Sequence, residues 1–137
     1  MLCPAALIPK LILQEAWKSK VSCYCPLPDD LQKEFSGRVK GTISLDEISI
    51  PRYLGMTATS ESHVFVDACK TSYGGCAFVR TVIPPTVKVQ LVKAKARVAP
   101  IKDMFIPKLE LVSCCTGTRL AHSIRLAIDF SDMPITF

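Results

Sequence analysis

The sequence predicts an α/β fold: an antiparallel three-stranded meander, a crossover helix and the start of a parallel fourth strand, all preceded by two helices. Three observations lead there. Residues alternate between apolar and polar through Val64–Asp67 and again from Val87 to Val98, which is the period of a strand. Leu109, Val112, Thr116, Leu120, Ile124 and Ile128 recur at helical spacing. Thr71, Ser72, Gly74, Gly75, the Pro84-Pro85 pair and Pro134 punctuate the chain between these runs. A meander followed by a crossover helix returns the next strand parallel to the first. The strand beginning at Ile135 is therefore expected beside Val64–Asp67.

The elements follow in order. Pro9 is expected to open the first helix, because its missing N–H costs nothing there. Ile8, Leu11, Ile12 and Ala16 carry that helix to Trp17. Pro26 and Pro28 make Val21–Pro28 a loop. Asp29 or Asp30 caps a second helix, in which Leu31, Phe35 and Val39 lie four apart and Gly37 and Gly41 weaken the turn. The charges between them form a solvated face. Ile48 and Ile50 alternate into a short extended piece stopped by Pro51, and residues 53–60 read as a linker. The first strand ends near Asp67, Thr71–Gly75 forms the turn, and Cys76–Arg80 is the second strand. Pro107 fits the first turn of the crossover helix, with Glu110 in that turn, favoured by the helix dipole. Gly117 marks close packing of this helix against the sheet.

Composition narrows the functional classes. A chain of 137 residues with 49% hydrophobic content supports one domain, or a small domain with an appendage, and argues against disorder. The net charge of +5 leans towards a polyanionic partner. No apolar run reaches the roughly 18–20 residues that span a bilayer, so no membrane role is expected. The start, MLCPAALIPKLIL, lacks a basic n-region and is broken by prolines, so an intracellular protein, cytoplasmic or nuclear, is expected rather than a secreted one. Seven cysteines without a C-x-x-C pair read as reduced thiols, with Cys76, Cys114 and Cys115 packed as small hydrophobes. A zinc site from Cys23 and Cys25 with His63 or His122 has no fixed set of four ligands.

Two features point to chemistry. Asp is depleted in strands, yet Asp67 closes an apolar run. Such a carboxylate needs a cation, a ring of donors or a catalytic task; the alternative is that it starts the turn and caps backbone N–H groups. A helix docked on the same sheet brings Glu110 towards Asp67. Two converging carboxylates suit a hard divalent cation, Mg²⁺ or its substitute Mn²⁺. The second feature is the alternation of Lys93, Lys95 and Arg97 with Ala94, Ala96 and Val98. It is either an exposed face discouraging edge aggregation or a basic stripe for a nucleic-acid backbone.

The segments VFVDACKTSYGGCAFVR, LVKAKARVAPIK and IPKLELVSCCTGTRLA resemble the ribonuclease H region of Bel/Pao-type LTR retrotransposon polyproteins. Upstream, IPKLILQEAW, PLPDDLQKEF and ISIPR resemble the connection segment that follows the polymerase in those proteins, although Cys23-Tyr24-Cys25 stands where the family often has Trp-Asp. Residues 1–52 are then a helical connection-like segment, 53–60 a linker and 61–137 the N-terminal half of a ribonuclease H-like domain. Some catalogues label the region a Pao peptidase of the aspartic kind. That chemistry wants Asp-Thr-Gly or Asp-Ser-Gly, whereas the triplet here is Asp67-Ala68-Cys69.

The resemblance implies two-metal hydrolysis of the RNA strand of an RNA–DNA hybrid, with Asp67 bridging both metals and Glu110 binding one. It also implies backbone phosphate contacts from Lys95, Arg97 and Lys102. The family's third carboxylate follows the fourth strand in a Trp-Thr/Ser-Asp-Ser motif, expected to begin where the sequence reaches Phe137. Asp129 and Asp132 precede the strand and substitute poorly. The expectation is a truncated ribonuclease H-like fold from a reverse transcriptase/ribonuclease H polyprotein, with weak metal binding and no cleavage by the chain alone. A domesticated, non-catalytic nucleic-acid-binding module is the alternative, and completion by the rest of the polyprotein or a partner chain is a third.

Overall fold

A computed structural model describes residues 3–22, 24–42, 45, 47–49, 52–128 and 132–137, with the side chains of Cys3 and Pro4 left out. Two helices, α1 (Cys3–Lys18) and α2 (Asp29–Thr42), precede the strands β1 (Glu61–Ala68), β2 (Ser72–Ile83) and β3 (Thr86–Val98). Helix α3 (Ile106–Ile128) and the short strand β4 (Ile135–Thr136) follow. The sheet order is β3-β2-β1-β4. β2 runs antiparallel to both β1 and β3. β4 lies parallel to β1, with Ser62 beside Ile135 and His63 beside Thr136, as a crossover through α3 requires. The mixed α/β architecture and its strand order are those the sequence pattern predicts.

The core forms where α3 lies across β1 and β2. Val64 and Ala77 from the sheet meet Leu120, Ala121 and Ile124 from the helix, all buried, with Val66, Val92, Ile128 and Ile135 packed around them. The buried row on α3 is Leu109, Ser113, Gly117, Leu120, Ala121 and Ile124. It is rotated from the expected stripe: Val112 and Thr116 sit on its flank, half-buried, while the small residues Ser113 and Gly117 take the centre. The reason is proximity. A Cβ at Gly117 would overlap Val66 Cγ1, so the helix backbone rests directly on the sheet.

The same closeness explains a second correction. Gly74 and Gly75 do not form the turn; they belong to β2, and the turn is Cys69–Ser72, closed by Cys69 N–H donating to Ser72 O at 2.8 Å, with Ser72 as the first residue of β2. Gly75 lies beneath Gly117, and a Cβ at Gly74 would stand 2.5 Å from the Lys95 carbonyl oxygen. The glycines keep a crowded strand flat rather than reversing the chain.

Register shifts once in β3. Ala77 pairs with Lys93 but Phe78 pairs with Leu91, so Val92 is the extra residue of a bulge. Directly paired residues share a sheet face. Val87, Val89 and Leu91 therefore share the face of Val82, Arg80 and Phe78, opposite α3. Lys93, Lys95 and Arg97 share the face of Ala77, Gly75 and Tyr73, on the α3 side. One uninterrupted run of odd-numbered residues thus serves both faces.

α1 runs through Pro9 rather than starting there. An internal proline loses one helical hydrogen bond; burial of Ile12 and Ala16 outweighs that loss, and the Gln14 side-chain amide donates to the Ala99 carbonyl beyond β3. α2 begins at Asp29 and continues through Gly37 and Gly41 with no buried residue, its charges solvated as expected. Ile48 closes a turn, its N–H donating to Leu45 O at 3.2 Å, instead of entering an extended piece. Ile50 and Pro51 of that expected piece lie outside the described residues. Residues 53–60 are anchored: Ser60 is buried, its Oγ 2.8 Å from Thr81 Oγ1, and Gln90 donates to Tyr53 O at 3.1 Å.

Candidate functional site

Asp67 sits inside β1, one residue from its end, directly opposite Gly74. Its exposed carboxylate receives no hydrogen bond from any described residue, so it does not cap the turn. In β1, Val64 and Val66 face α3, so Asp67 shares the other face with His63 and Phe65. There it borders an open apolar cleft of about 590 Å³, with Phe65, Phe78 and Leu91 at its floor and Leu7 of α1 at its margin.

Glu110 is exposed on α3. The helix starts at Ile106, with Lys108 and Leu109 N–H both donating to Phe105 O, so Glu110 is its fifth residue and lies beyond the first turn. The helix dipole favours it less there, because that effect fades within the first turn.

Ser113 ties α3 to the backbone of Asp67. Its side chain is fully buried, and its Oγ lies 2.8 Å from Asp67 O and 2.5 Å from Gly74 O. The single hydroxyl proton is shared between these carbonyls. Glu110 precedes Ser113 by three positions, so the two are neighbours on the helix surface, about 5–6 Å apart at Cβ. α3 passes Asp67 at Ser113, Val66 at Gly117 and the Val64 layer at Leu120 and Ile124, so it runs antiparallel to β1. Its N-terminus therefore stands at the end of the sheet where β1 finishes. Helical side chains lean towards the N-terminus, which aims Glu110 over that rim. Asp67 and Glu110 thus flank one rim from opposite faces, and Ser113, three residues after Glu110, fixes the helix to the Asp67 backbone.

As donors, two carboxylates suit a hard divalent cation in kind. In number they are a partial set: among the described residues no group of three or more His, Cys, Asp or Glu is placed to hold a metal ion. Asp132 is described but is not grouped with them, and Asp129 lies outside the described residues. Cys23 of the zinc alternative also lies outside them.

Of the expected phosphate contacts, Lys95 and Arg97 are exposed on the α3 side of β3, and Lys102 is exposed in the connection to α3. The thiols differ from expectation. Cys76 is half-buried, but Cys114 and Cys115 are exposed on the outer surface of α3. Sequence reasoning passed over Cys69. Its Sγ lies 3.2 Å from Ser72 Oγ and 3.5 Å from Thr71 Oγ1. Hydrogen bonds from Ser72 first, then Thr71, lower its pKa from 9.0 to about 7. The available signal was the C-x-T-S spacing, two hydroxyls within three residues of a cysteine at a turn.

No described helix is long and apolar enough to cross a membrane. A search of curated proteins and a search of solved structures each returned no match. A family model described as the Pao retrotransposon-like RNaseH-like domain matches residues 1–137. With that match over the whole sequence, and the strand order and parallel β1–β4 pairing in place, the chain belongs to the Pao retrotransposon-like RNaseH-like domain family.

Proposed function

We propose that this chain is the carboxylate-bearing part of a domain that hydrolyses the RNA strand of RNA–DNA hybrids by two-metal chemistry. The observation that carries the reading is the meeting of the β1 end and the α3 N-terminus at one rim, with Ser113 tying Glu110's helix to the Asp67 backbone. Asp67 and Glu110 would hold Mg²⁺ or Mn²⁺, which in this chemistry activates a water and stabilises the leaving oxygen. Within residues 1–137 the two carboxylates leave most of the metal charge unbalanced, so binding is weak and the 137-residue chain does not cut by itself. Lys95, Arg97 and Lys102 would contact backbone phosphates. The chain would act within a retrotransposon polyprotein that also carries reverse transcriptase, inside the cell.

The second reading is a module that binds nucleic acid without cutting it. It draws on the exposed cations of β3. Hybrid affinity measured with and without Mg²⁺ separates the two. The metal-dependent reading predicts that Mg²⁺ tightens hybrid binding in the native sequence and not in Asp67→Asn or Glu110→Gln. Binding indifferent to Mg²⁺ in all three supports the module instead. Hybrid cleavage by the native chain alone, lost in Asp67→Asn, would contradict the inactivity.

A further inference from the structure

A groove runs between β3 and α3 on the sheet face opposite Asp67. Its volume is about 220 Å³, and its walls carry Lys93, Lys95 and Arg97 from β3 and Arg119 from α3. Tyr73 closes one end and Ser123 marks the other. We propose that this groove is a track for the phosphodiester backbone of a single nucleic-acid strand, with Tyr73 as a surface for a base. The inference rests on the nucleic-acid reading above but not on the metal.

Four observations support it. First, the cations are gathered, not scattered. Alternate residues on a strand repeat every ~6.7 Å, so Lys93, Lys95 and Arg97 form a straight row about 13 Å long. A single small anion touches one or two members of such a row; a polyanion engages all of it. Arg119 adds a fourth cation from the facing helix, which sequence period alone could not place beside the row.

Second, none of the groove's cations is neutralised by a carboxylate among its lining residues. Lys18 pairs with Glu15 and Arg80 with Glu61, and neither pair involves the groove. Among the described residues no Asp or Glu lines it. Like charges held this close repel one another, and a phosphate chain would relieve that repulsion.

Third, the bulge at Val92 builds the arrangement. Without the shift, the odd-numbered cations would continue on the face of Val87, Val89 and Leu91, away from α3. Charges that only protect an edge from aggregation need no particular face. Here the strand changes phase where its apolar residues give way to cations, and the cations arrive beside the helix.

Fourth, the far end is already a polar contact. Lys93 Nζ donates to Ser123 Oγ at 3.3 Å, while the Ser123 hydroxyl proton is given to Leu120 O at 2.8 Å. The amine has further protons free for a phosphate oxygen. At the near end Tyr73 pairs with Arg97 and with Ala68, next to Asp67. The track thus begins at the carboxylate rim and leads away from it along β3. A half-buried aromatic ring at that point offers a π-face on which a base can stack.

The test uses a fluorescein-labelled oligothymidylate, without divalent metal, and reads the slope of log affinity against log salt. Each phosphate contact contributes about 0.7 to that slope for single strands. The triple variant Lys93→Gln/Lys95→Gln/Arg119→Gln is expected to lower it by about 2. The charge-matched triple Lys33→Gln/Arg38→Gln/Lys40→Gln on α2 is expected to leave it nearly unchanged. Equal slopes for the two triples, or no binding by the native chain, would overturn the proposal. If circular dichroism shows the groove triple unfolded, Ser123→Glu gives the answer: a carboxylate at Lys93 should weaken binding several-fold, and an unchanged affinity rejects the track. Both readouts are independent of Mg²⁺, so the groove and the metal reading stand or fall separately.

Discussion

Replacing Gly117 by alanine tests how α3 is seated, and with it the position of Glu110. In an ordinary helix this change stabilises by about 1 kcal/mol, because glycine is the poorer helix former. Here the added Cβ would overlap Val66 Cγ1 and stand 3.4 Å from Val64 Cγ1. Val64 is 2% exposed, and Val66 is half-buried and stiff at χ1 because it is β-branched, so neither yields freely. Overpacking of this kind costs about 1–3 kcal/mol. The net expectation is a loss of up to about 2 kcal/mol. The partner variant Val66→Ala removes the obstructing methyl groups. In the double variant the added methyl occupies that space, so the two changes should couple favourably by about 1 kcal/mol or more. Urea unfolding of the native chain, both single variants and the double variant, followed by circular dichroism at 25 °C, measures the cycle. A Gly117→Ala variant stabilised by the full helix-propensity gain, with no coupling to Val66→Ala, would show that helix and sheet are not in contact at this point.

Two further outcomes follow from the site. Ser113→Ala removes the hydroxyl shared by Asp67 O and Gly74 O and should cost about 1–2 kcal/mol in the same urea assay, whereas Ser123→Ala, half-buried at the far end of α3, should cost less. Equal losses would deny Ser113 its linking role. Cys69 should alkylate with iodoacetamide at a rate that rises with pH through a midpoint near 7, because the thiolate is the nucleophile and the lowered pKa exposes it from that pH upward. Ser72→Ala should move that midpoint up towards 9.0, and an unmoved midpoint would remove Ser72 as the cause.

Much of this fold can be read from period and punctuation. β1 and β3 alternate cleanly, α3 repeats at helical spacing, and the order strand–strand–strand–helix–strand leaves little choice for β4. The misreadings share one physical origin. Glycine signals a turn in isolation, but Gly74 and Gly75 are in β2 because β3 and α3 press on the strand. Ser113 is ambiguous in a helix until the carbonyls above it are known. Pro9 reads as a helix start until the burial of Ile12 and Ala16, which outweighs an internal proline, is counted. Each needs knowledge of a neighbour distant in sequence.

The site divides the same way. Asp67 stood out because a carboxylate closes an apolar run, and Glu110 because the crossover helix carries it towards the same sheet, a pairing the family resemblance then gave a role. The face of Lys93, Lys95 and Arg97 was not legible, because a period of two carries no record of a bulge. Cys69 went unnoticed because its acidity comes from a turn that the sequence pattern placed too late, reading Ser72–Gly75 of β2 as turn.

Whether Asp67 and Glu110 grip one cation can be measured with Mn²⁺, whose unpaired electrons broaden nearby NMR signals. In the ¹H–¹⁵N spectrum of the 137-residue chain, amides around both the β1 end and the first turns of α3 should broaden together at one Mn²⁺ concentration, and Asp67→Asn or Glu110→Gln should each abolish both effects. Broadening confined to one of the two segments, or unchanged by either substitution, would contradict a shared metal site.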